Sequence, residues 1–544
     1  MAENFRDFRE NGMKKIWLAI MMVCFCTVMF AAGVSAAVWD GTAASGFAGG
    51  TGSEADPYLI STPQQFWRFR MLVSNQYSAY GSAHYELTQN IDMNSLEFLP
   101  VAKFSGTFEG NNHSIKNLNI ADIALDCHGL IALGDGCTIR NLNVSGIVST
   151  SEGYCGALIG KLTNNALVSN CKNNCTVSGK GSNADGIGGI VGRIESATVK
   201  NCSNTGKISG DCEIGGIVGS ATVMSVISCT NTGSITGIDS VGGIIGKFTH
   251  ISSQRGGGSS YAPGVVSYSC NAGSVYGEKY TGGIAGYLEG GIIQQSCNIT
   301  SVTSSNGYAG GIIGRGYSDH HFNRSSSSLS GTSVRYTYSA TTLMNCFNSG
   351  EIHGYSAGGI AGFYGVYSSN NSLSLTLNST NLYNAGTVIG AESSGGIIGG
   401  NVSNYNIVSP ANAFYLDSTV SDPSITVGTA RTHGSMLTIA GYTNFDFDTI
   451  WTWDGMFVYP YPILYGVELP SPLYTISGKI TSVGTGDITI SLLKDGTTVE
   501  GVTVTVNSTE GTYTIVDVPA GTYTMRVSKP RHITREYTVT VGNP

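Results

Sequence analysis

The sequence predicts an all-β chain: a right-handed parallel β-helix, or solenoid, followed by a small β-sandwich. Three observations predict it. A glycine-rich five-residue phrase recurs through residues 129–399 with a basic period of 27. Glycine reaches 75 of 544 residues with no Gly-X-Y period, while proline stays at 13, so the chain is turn-rich without being collagen-like. From Leu473 onward, short stretches alternate apolar and polar residues.

The phrase reads GGIVG at 188–192 and 215–219, GGIIG at 242–246, GGIAG at 282–286, GGIIG at 310–314, GGIAG at 358–362 and GGIIG at 395–399. GALIG at 156–160 and GLIAL at 129–133 are degenerate copies. Successive starts lie 27, 32, 27, 27, 40, 28, 48 and 37 residues apart, so insertions interrupt the period. Fixed periods of this size mark solenoids and arrays. Within one unit, residues 198–202, 207–209 and 214–218 are strand-sized, with Asn204-Thr205-Gly206 and Gly210-Asp211 as turns. Three strands per unit make one coil of a three-sided helix, and about nine coils at ~4.8 Å give a rod of roughly 45 Å.

Stacking of coils gives repeated residues a meaning. Asn204, Asn231, Asn271, Asn348 and Asn384 each stand two before a glycine. They are expected to hydrogen-bond along the rod and to accept left-handed backbone. Cys171, Cys202, Cys229 and Cys346 stand two before that Asn, which is Asn173 in the first case. They are expected to form an inward column of free thiols, since a free cysteine behaves as a small hydrophobe. Cys270 is offset by one, and Cys297 falls in a coil that reads as having lost its Asn. Disulfides between neighbouring coils are the alternative reading of these cysteines.

These phrases resemble the GLUG-motif repeat family, found in adhesin-like surface proteins and beside some peptidases. The segment before the repeats is similar to what precedes them in such proteins. Its marks are Gly50-Thr51-Gly52-Ser53-Glu54-Ala55-Asp56-Pro57-Tyr58-Leu59-Ile60, then Tyr85 to Met93, then Phe104-Ser105-Gly106-Thr107-Phe108-Glu109-Gly110-Asn111. The resemblance implies the solenoid fold and export, and it implies no particular activity.

The ends complete the organisation. Residues 1–36 read as a signal peptide: Lys14-Lys15, an apolar run over 16–32, then the small-residue site Val34-Ser35-Ala36. A retained anchor is the alternative, although the run is at the short limit for a span. Residues 37–118 form an N-terminal cap and the first solenoid strands, with a helix predicted over 63–74 because Thr62-Pro63-Gln64-Gln65 is a helix start. Residues 119–411 carry the repeats. The aromatic-rich residues 412–467 are expected to cap the other end, or to offer a carbohydrate-stacking surface. Residues 468–472 are a linker. About seven strands in residues 473–544 suit a β-sandwich. There, Gly511-Thr512-Tyr513-Thr514-Ile515 and Val518-Pro519-Ala520-Gly521-Thr522-Tyr523 resemble the carboxypeptidase regulatory-like, transthyretin-like module. An anchoring module beyond Pro544 is a further expectation.

No catalytic set, cofactor site or metal site is expected. Gly354-Tyr355-Ser356-Ala357-Gly358 fits a hydrolase motif by letter, but it runs into the repeat glycine and no helix can follow. No His-Glu-x-x-His occurs among the nine histidines. His320-His321 falls in an insertion and reads as a solvated loop, with weak metal binding as the alternative. Asp185, Asp211, Asp239, Glu278 and Glu392 precede the double glycine by three or four residues and predict a carboxylate column. That column is either a solvated turn or a place for a hard cation such as Ca²⁺. Lys and Arg read as scattered, with no basic column to match. The charge of −8 and the absence of a basic run argue against nucleic acid. After the signal no stretch is long and apolar enough to span a membrane. The expected function is therefore non-catalytic: an extracellular or cell-surface, adhesin-like rod whose Ser-, Gly- and Tyr-rich insertions at 250–264, 317–338 and 366–377 bind an extracellular protein or glycan. The alternative is a polysaccharide-active enzyme, a lyase or glycosidase, because such enzymes share the fold.

Overall fold

A computed structural model describes residues 38–541 apart from internal stretches, the longest being 250–262, 319–340 and 368–378. The predicted signal segment and His320-His321 lie outside the described residues.

One uninterrupted coil shows how the rod is built. Ala197–Lys200, Ser203–Asn204, Ile208–Ser209, Cys212–Gly215 and Val218–Ala221 follow one another as short strands. Each pairs in parallel with its equivalent in the next coil: Val199 with Val226, Asn204 with Asn231, Ile208 with Ile235, Ile214 with Val241, and Val218 with Ile245. The chain is therefore a parallel β-helix. Val199, Ile208, Ile214, Ile217 and Val218 are buried, so each coil adds its own layer to one continuous core.

The double glycine serves close approach. A Cβ on Gly215 would lie 1.9 Å from the Val218 carbonyl oxygen, and one on Gly216 would lie 2.1 Å from that of Gly243 in the next coil. No larger residue fits without moving backbone. The left-handed corner lies elsewhere. Asn141, Asn170, Asn201, Asn345, Asn381 and Asn412 have φ between 51° and 57°, and Ser228, Tyr268 and Gln295 adopt the same backbone in coils between them. At this exposed corner the amides also bond along the rod, as Asn201 to Asn170 at 3.1 Å and Asn381 to Asn345 at 3.0 Å.

The predicted amide column is real, but it is buried and its backbone is not left-handed. Asn173 donates to Asn204 and Asn204 to Asn231, both at 2.7 Å, and the chain of bonds continues to Asn384. Asn298, in the coil read as lacking the residue, fills the rung between Asn271 and Asn348 at 2.8 and 2.7 Å. Each amide also closes its own turn, as Asn204 does to Gly206. Cys171, Cys202, Cys229 and Cys346 are buried and free. Their column is completed by serines: Cys229 N donates to Ser269 Oγ, and Ser269 N to Ser296 Oγ. Cys270 and Cys297 stand in the next column, one before the Asn, with Thr230 on one side and Phe347 on the other.

At the N-terminal end the helix Pro63–Asn75 is capped by Thr62, whose Oγ1 accepts from Gln65 N at 3.2 Å. Gln65 Oε1 in turn accepts from Ser61 N at 2.8 Å. The helix buries Phe66, Phe69 and Val73 against Tyr85, Phe98, Phe104 and Phe108, closing the first coil. At the other end, Ala411–Leu416 and Thr429–Arg431 continue the stacking. The chain then turns back along one flank. Met436, Tyr442, Phe445, Trp451 and Leu464 pack on the column Cys270, Cys297, Phe347, Tyr383 and Phe414. The aromatic-rich segment thus lies beside the last coils rather than only across their end. Trp451 and Tyr442 are buried there, so they are packing residues and not an open carbohydrate platform.

Beyond the linker, Leu473–Lys479, Thr512–Pro519 and Thr503–Asn507 form one antiparallel sheet. Thr489–Lys494, Thr497–Thr498, Gly521–Ser528 and Arg535–Val541 form another. Ile515 and Val518 of the first meet Leu492 and Tyr523 of the second in a separate core.

Candidate functional site: a flank and an insertion edge

Every copy of the phrase feeds a strand of one parallel sheet, including Val191–Ile194, Val218–Ala221, Ile245–Thr249, Ala285–Glu289, Ile313–Ser318 and Ala361–Tyr367. The three long insertions leave from the ends of these strands. They follow Thr249, Ser318 and Tyr367, and the chain re-enters the coil at Val265, Thr341 and Thr380. Since the strands stack in one sheet, with only Ala285–Glu289 between the first and second, all three insertions are rooted on one edge of the rod. The coil between the first two closes tightly instead, with Gly290 and Gly291 at φ 71° and 89°. Insertions confined to one edge are the pattern by which repeat proteins build a binding face.

Beside this edge runs a flank that sequence reading missed. The residue after each phrase occupies one register position: Lys161, Arg193, Ser220, Lys247, Tyr287, Arg315 and Phe363, with Lys103 and Leu133 before them. Basic residues are therefore aligned and not scattered. Counting from the phrase, rather than along the chain, reveals it. The cations are compensated: Lys103 pairs with Asp135 at 2.6 Å, Lys161 with Glu195 at 2.8 Å, and Lys247 with Glu213 at 2.7 Å. Aromatic rings share the flank. The Arg193 guanidinium lies 5.1 Å from the Tyr154 ring centre. Arg315 lies 5.1 Å from Tyr280, whose hydroxyl accepts from its Nη1 at 2.8 Å. Tyr280 and Tyr308 stack at 6.1 Å. Burial raises the Tyr308 phenol pKa, and Arg315 opposes the shift. Paired ions beside half-buried rings suit contacts with a polar, uncharged surface more than capture of a polyanion.

The predicted carboxylate column does not form. Register places Cys212 between Asp185 and Asp239, and Asp211 sits one position away. Lys279 Nζ holds Asp239 at 2.9 Å. Turn length varies between coils, so a fixed count back from the double glycine does not select one column. Among the described residues no three His, Cys, Asp or Glu side chains are grouped to hold a metal ion. Ser356 lies in the strand Ile352–Gly358 and accepts from Ser393 Oγ at 2.9 Å. The strand Ala361–Tyr367 follows it, where a hydrolase motif would need a helix.

Comparison with known proteins adds the following. The GLUG motif matches residues 183–209, so the chain carries repeats of this type. It is 29% identical to "Halomucin" of Haloquadratum walsbyi over 170 residues, which is 28% of this chain and 2% of that protein. It is 31% identical over 130 residues to a protein of Evansella cellulosilytica described as a Gly-rich membrane protein, covering 22% of this chain and 14% of the other. Among solved structures, "IgA1 Protease" matches at 13% identity with a TM-score of 0.29, over 70% of this chain and 24% of that one. The chain spans only a small part of each of these proteins. No helix among the described residues is long and apolar enough to cross a membrane, which says nothing of a β-barrel.

Proposed function

We propose that this chain is a non-catalytic extracellular or cell-surface rod that binds an extracellular protein or glycan through the insertions rooted on one edge. The observation that carries the reading is the common origin of the three insertions at Thr249, Ser318 and Tyr367, at the ends of strands of one sheet, with a single uninserted strand between the first and second. A rigid rod holds these roots at fixed spacing, which lowers the ordering cost of a multi-point contact. The half-buried tyrosines and paired charges of the adjoining flank extend the surface. GLUG-type repeats, and relatives described as a halomucin and a Gly-rich membrane protein, support the surface placement.

The test is a binding screen against host-matrix proteins and a glycan array. The natural chain is compared with one whose residues 250–262, 319–340 and 368–378 are each replaced by the Gly-Gly turn of the uninserted coil. Binding that is lost in the shortened chain supports the reading. Equal binding by both chains removes the edge from it. Release of reducing or unsaturated ends from pectin, alginate or host glycans would overturn the non-catalytic assignment in favour of a polysaccharide-active enzyme.

A further inference from the structure

Two of the buried cysteines differ from the others in what they face. In the inward column each thiol lies against a backbone carbonyl of its own coil: Cys171 to Ser169 O at 3.3 Å, Cys202 to Lys200 O at 3.3 Å, Cys229 to Ile227 O at 3.4 Å and Cys346 to Met344 O at 3.2 Å. Cys270 and Cys297, likewise buried and free in this structure, face each other. They are direct partners on adjacent parallel strands, and their sulfurs are 2.9 Å apart. That is well inside an ordinary non-bonded approach of about 3.5–4 Å. Direct partners on neighbouring strands, about 4.8 Å apart, also fall within the Cα separation of roughly 4.4–6.8 Å that a disulfide spans.

We propose that Cys270 and Cys297 are joined by a disulfide, formed by exchange with a carrier disulfide while the coils stack and then sealed by the flank segment. The column explains the timing. Where this column is uncovered it carries polar Lys172, Ser203 and Thr230. Where the later segment packs on it, it carries Cys270, Cys297, Phe347, Tyr383 and Phe414. The two cysteines are only 27 residues apart, so coil stacking brings them together before residues 433–467 need be in place. One thiol gives up its proton and its thiolate attacks a sulfur of the carrier disulfide, releasing one carrier thiolate. The second thiolate then attacks the mixed disulfide and releases the other. Two cysteine thiols are oxidised, one carrier disulfide is reduced to a dithiol, and the two protons pass to it. Both residues are fully buried once the flank packs, which shields the bond from exchange. The inference goes beyond the binding reading and does not depend on it.

The experiment refolds the full chain from denaturant in a buffer of reduced and oxidised glutathione, then quenches and alkylates under denaturing conditions without reductant. Cleavage after Arg255, Lys279 and Arg315 places the two cysteines on separate peptides, each with one cysteine. The expected result is a linked pair about 2 Da lighter than the two thiol peptides together, with Cys171, Cys202, Cys229 and Cys346 each singly alkylated. A Cys270→Ser chain is expected to refold with Cys297 unreactive to alkylation until denatured. Full alkylation of both Cys270 and Cys297 in a correctly refolded natural chain overturns the proposal. So does linkage of either one to a cysteine of the inward column.

Discussion

Asn231 Nδ2 donates to Asn271 Oδ1 at 2.8 Å although 40 residues separate them, whereas Asn204 makes the same bond to Asn231 across 27 residues at 2.7 Å. The longer coil carries an insertion, and the rung does not register it. Asn271 also donates to Gly273 O and Asn298 Oδ1, and it accepts from Gly273 N at 3.4 Å. It is fully buried, so no water replaces these partners. Asn271→Ala is expected to leave one N–H of the Asn231 amide, whose other bond to Gly233 O remains, and Asn298 Oδ1 without their ladder partner, costing about 2–4 kcal/mol of unfolding free energy. Urea denaturation measures it. A loss under ~0.5 kcal/mol would mean that the ladder is decorative.

The inward column tolerates serine better than its apolar setting suggests. Ser269 and Ser296 already occupy it, and each hydroxyl donates to the carbonyl two residues back, at 2.9 and 2.8 Å. Cys229 Sγ faces the same carbonyl in its own coil. Cys229→Ser is therefore expected to change stability by less than about 1 kcal/mol, because the hydroxyl finds a partner in place. Cys229→Phe is expected to cost several times more, since it overpacks a column fixed above and below by neighbouring coils. Equal losses for the two variants, read from denaturation midpoints, would refute this account.

The repeat phrase is legible because every coil imposes the same requirements on it. Gly215, Gly216 and Ile217 each answer to the backbone of the adjoining coil. The alignment of Arg193, Lys247 and Arg315 is written in the sequence too, one residue after the phrase, but insertions hide it from a reader who counts along the chain. Asp185 and Asp239 share a column while Asp211 does not, because turn lengths before the double glycine differ. The flank packing of Trp451 and Tyr442 could not be read. Their partners Cys297, Phe347 and Tyr383 come from single positions in three coils and form a surface only after the coils stack.

Asp185 makes stability depend on pH. Asp185 itself is exposed while Gly186, Ile187 and Gly188 beside it are buried; partial desolvation raises its carboxyl above the ordinary 3.8, and nearby Glu213 pushes the same way, while Lys247 and Arg193 act against them. A carboxyl that binds its proton more tightly when folded stabilises the chain fully below its unfolded pKa. That contribution disappears as pH rises through the folded value. At neutral pH the charged form is a burden. Because solvent screens an exposed carboxylate, Asp185→Asn is expected to raise the melting temperature only slightly at pH 7, with the gain vanishing near pH 3, where roughly all such carboxyls are protonated. A gain of the same size at both pH values would show that the effect is not one of charge.

The flank segment should unfold without the rod. Phe347 and Tyr383 stack with ring centres 5.1 Å apart and planes 2° from parallel, and Trp451 closes on Tyr383 at 5.7 Å. Tyr383 Oη donates to Pro462 O at 2.5 Å, tying the segment to the column. The coils beneath are held by their own parallel pairing and need none of these contacts. Trp451→Ala removes the largest buried side chain of this cluster, at a cost of about 3–5 kcal/mol in a packed core. That cost falls on the segment alone, because local opening needs less free energy than global unfolding. Limited proteolysis of Trp451→Ala is expected to cut within residues 433–467 first and to leave a fragment with unchanged β-sheet circular dichroism. Simultaneous loss of rod and segment would show instead that the flank is part of one cooperative unit.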